Sequence, residues 1–109
     1  MEQNGVGDIR QKIVSAVRGI DPANTEAWKD LSLLESTPRV DAVETFEKEV
    51  QIDGAKFSGA LLWHVTLTYG SLDDQIVSSE SFPGKFEGHI IEGVPSIDRM
   101  TIDTSSFYA

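Results

Sequence analysis

Residues 57–69 constrain this chain more than any other stretch. Phe57, Leu61, Trp63, Val65, Leu67 and Tyr69 recur at alternate positions, with Ser58, Ala60, Leu62, His64, Thr66 and Thr68 between them. A period of two in side chains rich in β-branched and aromatic types predicts a half-buried strand, apolar on one face and polar on the other. A strand of that length cannot be a lone element. It needs neighbours for its backbone groups and a layer to cover its apolar face.

The covering layer is legible upstream. Ile9, Ile13, Ala16, Val17 and Ile20 fall on one helical stripe, with Asp8 placed as an N-cap, Gln11 three residues on and Gly19 near the stop. Arg10, Lys12, Ser15 and Arg18 are expected to face outward. Asp21-Pro22 predicts a second start, after which Ala27, Trp28, Leu31 and Leu34 share a face until a stop between residues 35 and 38.

The partner strands are expected on either side. Residues 40–52 fit a helix through Val40, Val43, Phe46 and Val50, or a strand face through Phe46, Val50 and Ile52. A strand from about Val43 is preferred, because Asp53-Gly54-Ala55-Lys56 reads as a turn into the long strand. If Ile52 faces Phe57, then Phe46 pairs with Trp63, Thr45 opposes His64 and Glu47 opposes Leu62. Downstream, a strand over 75–82 and a partner over 85–92 are expected around a Pro83-Gly84 turn. Another turn follows at Pro95-Ser96, before a last strand holding Met100 and Ile102. Glycines 54, 70, 84, 88 and 93 read as turns or strand irregularities.

The expected fold class is therefore α+β: two N-terminal helices packed on one face of a four- to five-stranded, mainly antiparallel meander sheet. Residues 1–7 are expected to form a flexible lead-in and residues 8–109 a single domain.

Nine Lys and Arg against eighteen Asp and Glu give a net charge of -9, which repels phosphate backbones and anionic lipid. On that ground neither nucleic acid nor a membrane is the expected partner. The chain has no cysteine, and its N-terminus has neither a basic nor an apolar segment of a signal peptide. A cytoplasmic location is expected.

Charge also has a local focus. Asp41, Glu44, Glu47, Glu49 and Asp53 meet only Lys48 in thirteen residues, a local net charge of -4. The leading expectation is a non-enzymatic binding module of inhibitor, immunity-protein or adaptor type. It would present Glu44, Glu47, Glu49, Asp53 and His64 to a basic protein. Val14, Leu33 and Leu62, outside the main apolar stripes, leave a homodimer contact open.

The competing expectation is a small enzyme or ligand-binding domain with a pocket between helices and sheet, where His64 or His89 works with Glu47 or another carboxylate, since a carboxylate beside an imidazole can orient it as a general base. A third is a structural subunit of a larger assembly. No cofactor and no metal site is expected: the glycines lead into no helix, no Asp-x-Asp-x-Asp-Gly loop is present, and His64 and His89 fall on separate strands.

Overall fold

The structure, a computed structural model, describes residues 6–34, 38–71 and 73–108. Two helices, α1 (Val6–Arg18) and α2 (Ala27–Leu34), precede five strands: β1 (Arg39–Thr45), β2 (Gln51–Asp53), β3 (Lys56–Ser71), β4 (Asp74–Ile91) and β5 (Val94–Ile102). The sheet order is β1-β3-β4-β5, with β2 also on β3, and every pairing is antiparallel. This is the expected α+β class. Among the described residues, no helix is long and apolar enough to cross a membrane.

The helices form much as their stripes predict. Ile13 and Val17 are fully buried, with Ile9 and Ile20 packed at the margin, and Val14 joins the core rather than standing off it. Helix α1 already includes Val6, so Asp8 lies inside it and is not its N-cap. Asp21 caps a short 3-10 turn at Pro22–Asn24, accepting a hydrogen bond from the Ala23 N–H at 3.0 Å, and α2 begins only at Ala27. The stop expected at 35–38 lies mostly outside the described residues. Leu33 is exposed. Both helices cover one face of the sheet, where Leu61, Trp63, Val65, Leu67, Phe82, Phe86 and Met100 close the core. Among the described residues, no α-helix covers the opposite face of the sheet, which is the open face.

Three expectations about the strands are corrected. The first concerns residues 43–52. The turn at Gly54 and the Ile52–Phe57 pair are as expected, but a 3-10 turn at Glu47–Glu49 separates β2 from β1. That turn absorbs chain and shifts the register by three: Trp63 faces Val43 instead of Phe46, His64 faces Ala42 instead of Thr45, and Leu62 faces Glu44 instead of Glu47. Arg10, expected to point outward, holds the turn against α1 by donating to the carbonyls of Val50 and Glu47.

The second concerns Pro83-Gly84, which is not a turn. Strand β4 runs straight through it. The Pro83 carbonyl accepts from the Asp103 N–H at 2.8 Å, one step beyond the end of β5. A strand residue's N–H and carbonyl point the same way, so the missing proline N–H also faces Asp103, at the very end of the β5 ladder, where a proline is tolerated. Gly84 is required by proximity: a Cβ there would stand 2.1 Å from the Thr101 carbonyl oxygen and 2.7 Å from Trp63 Nε1.

The third concerns the β4–β5 hairpin, whose turn is Glu92-Gly93 and not Pro95-Ser96. Its two central residues have φ of 51° and 80°, the positive values that a tight I′ hairpin demands.

Among the described residues, neither strand has an outer strand neighbour beyond Thr66 on β3 and Pro83 on β4, so the pair continues as a two-stranded ribbon. The molecule is correspondingly long, 58 × 24 × 23 Å.

Candidate functional site

Antiparallel sheets commonly pack one face and leave the other in water. Here the open face collects the side chains at even positions of β3 and odd positions of β4, and both histidines are among them. Each meets a carboxylate carried by an outer strand.

At one end, His64 is held at both ring nitrogens. Nε2 lies 3.0 Å from Glu44 and Nδ1 lies 2.9 Å from the Ser81 hydroxyl. Next to it the β1 register slips between Val40 and Ala42, leaving Asp41 as an extra residue. A bulge of this kind re-aims a side chain. Asp41 accepts from the Thr66 hydroxyl at 2.5 Å and from Arg39 Nε at 2.7 Å. Those two bonds, the Thr66 one foremost, hold its carboxyl below the usual carboxylate range.

At the other end, β5 carries the second bulge. Glu87 pairs with Arg99 and Gly88 with Ile97, so Asp98 is the extra residue. It comes to 2.8 Å from His89 Nδ1. Among the described residues, Nε2 of His89 has no hydrogen-bond partner. His89 sits directly across the ladder from Lys56. Both line an open groove of about 560 Å³, together with Gln51, Asp53, Ser58, Glu87 and Asp98. A shallower depression adjoins it through Gln51 and Ser58, and adds Lys48 and Lys85.

The residues expected at a site are thus divided. Glu44 and His64 come together, with Glu44 where Glu47 was expected. Glu47 and Glu49 lie in the exposed 3-10 turn, away from His64, and Asp53 lines the His89 groove. From the Lys56–His89 step to His64 is eight positions along β3, or roughly 26 Å at the rise of a strand, so the two histidines cannot share one reacting group.

His89 with a carboxylate was among the expectations, but Asp98 as that carboxylate escaped the sequence reading because it depends on a bulge. A signal for the hairpin was present, however: Ile90 and Ile91 precede Glu92-Gly93 and Val94 follows, a two-residue spacer between apolar runs. That spacer places His89 opposite Ser96, near Asp98. Among the described residues, no group of three or more His, Asp or Glu side chains is placed to hold a metal ion.

The family model described as a predicted pPIWI-associating nuclease matches residues 3–108. The chain belongs to that family. Membership overturns the expectation of a non-enzymatic binding module, which rested on net charge and on the lack of a recognisable catalytic motif. Neither is informative about a site assembled from separate strands. No curated protein and no solved structure matches the chain. Among the described residues, this member of the pPIWI-associating nuclease family has two histidine–carboxylate pairs; His64 is engaged at both ring nitrogens, and His89, which lines the groove, at Nδ1.

Proposed function

We propose that the chain is a nuclease that cleaves phosphodiester bonds in the His89 groove, acting with the pPIWI partner its family name describes. The observation that carries this reading is the state of His89. Asp98 engages Nδ1, which fixes the tautomer with the proton on Nδ1 and leaves the Nε2 lone pair for a proton from the attacking hydroxyl. Lys56, across the ladder, supplies positive charge for the phosphate oxygens as charge builds on them. Net charge alone weighed against nucleic acid, but a substrate strand would meet the groove and its neighbouring depression, where Lys48, Lys56 and Lys85 stand among Glu49, Asp53, Glu87 and Asp98 and would have to reach the phosphates individually.

Replacing His89 tests this directly. His89→Ala should lower the cleavage rate by about 10²- to 10⁴-fold, the range for loss of a positioned base. His64→Ala, whose ring has both nitrogens engaged, should retain cleavage. Gel assays of end-labelled oligonucleotides measure both, and equal losses in the two variants would remove His89 from its role.

A further inference from the structure

The groove provides a base and a cation, and what it lacks is an activated nucleophile of its own. Ser58 lines it, yet among the described residues no hydrogen bond joins its hydroxyl to His89 or to Glu87, which faces it across the ladder. A nucleophile carried by the substrate meets this need best. The ribose 2′-hydroxyl stands next to its own phosphorus, and an intramolecular attack has an effective concentration that no bulk water reaches, about 10⁵ M or more in well-oriented cases. A single oriented imidazole beside one ammonium is the equipment such a reaction requires.

We infer that the substrate is RNA and that cleavage is an internal transesterification, an inference that rests on the nuclease reading above. His89 Nε2 takes the proton from the 2′-hydroxyl. The 2′-oxygen then bonds to phosphorus and the bond from phosphorus to the 5′-oxygen breaks. The departing oxygen takes a proton from the Lys56 ammonium, whose Cα faces that of His89 across the ladder. The products are a 2′,3′-cyclic phosphate and a 5′-hydroxyl. No water is consumed, and no oxidant or reductant enters. Solvent returns His89 and Lys56 to their starting states. Lys48 and Lys85, on the adjoining depression, would carry neighbouring phosphates.

The test gives the full chain four oligonucleotides of one sequence: all RNA, all DNA, all 2′-O-methyl RNA, and DNA with a single internal ribonucleotide. His89→Ala is run beside the native protein to exclude contaminating ribonuclease. The expected result is cleavage of RNA, and of the mixed strand only after its ribose. Rates should be at least about 100-fold above those for DNA and 2′-O-methyl RNA, with a cyclic phosphate identified by mass. Comparable cutting of DNA would overturn the RNA inference and leave the nuclease reading standing. Cutting of RNA that ends in a linear 3′- or 5′-phosphate from the outset would overturn the transesterification. If no strand is cut, or if His89→Ala cuts as well as the native chain, the site reading fails and the inference with it.

Discussion

A histidine can accept a proton only at a ring nitrogen that is not already engaged, and this separates two residues that look alike in sequence. His64 is spanned by Glu44 and Ser81, an arrangement that ties β1, β3 and β4 together on the open face. Among the described residues, His89 is held from one side only. The carboxylate next to His64 has its own role. Asp41 is ionised more readily in the folded chain than in the unfolded one, so its bonds to Thr66 and Arg39 favour folding above the ordinary carboxylate range. That contribution fades as pH falls through its depressed folded value. Asp41→Asn should therefore lower the urea midpoint at neutral pH, and the gap from the native protein should close in acid. A gap that persists at low pH would mean that the side chain acts through packing and not through its charge.

Among the elements, what could be read from sequence and what could not divide along a physical line. Patterns carried by consecutive side chains were legible: the strand expected at 57–69 is β3 at Lys56–Ser71, the Met100 and Ile102 strand is β5, and the stripes of α1 and α2 do face the core. Features set by one backbone meeting another were not. The 3-10 turn at Glu47–Glu49 gives no periodic signal, yet it decides that Glu44 and not Glu47 reaches His64. The bulge that delivers Asp98 to His89 is equally silent. Pro83-Gly84 misled for the same reason, because a glycine kept for close approach looks the same in sequence as one kept for a turn. The structure makes this distinction testable. Gly84→Ala would drive a methyl into the Thr101 carbonyl and the Trp63 indole, whose Nε1 donates to that carbonyl at 2.9 Å. The expected cost is about 1–3 kcal/mol, in the range for overpacking, seen as a lower denaturation midpoint with unchanged slope. A neutral substitution would show that this corner of the core yields.

On the scale of the whole molecule, the radius of gyration is 16.1 Å, whereas a compact chain of this length is expected near roughly 13 Å. The excess belongs to the ribbon. Helices and outer strands gather around one part of the β3–β4 pair, where the His89 groove lies, while the ribbon runs on past both outer strands. In the ribbon β3 and β4 pair one for one, from Leu67 with Ser78 to Ser71 with Asp74. A segment paired in this way has no fixed length of its own. Removing residues 68, 69, 76 and 77 together takes two residues from each strand and preserves the alternation of faces. Such a shortened chain should keep its fold and its cutting rate, as judged by thermal melting and the oligonucleotide assay. A collapse of either would show that the ribbon is bound into the rest. If both persist, the arm is the part of the molecule that insertions and deletions can lengthen or trim in paired steps, its reach adjustable without disturbing the groove.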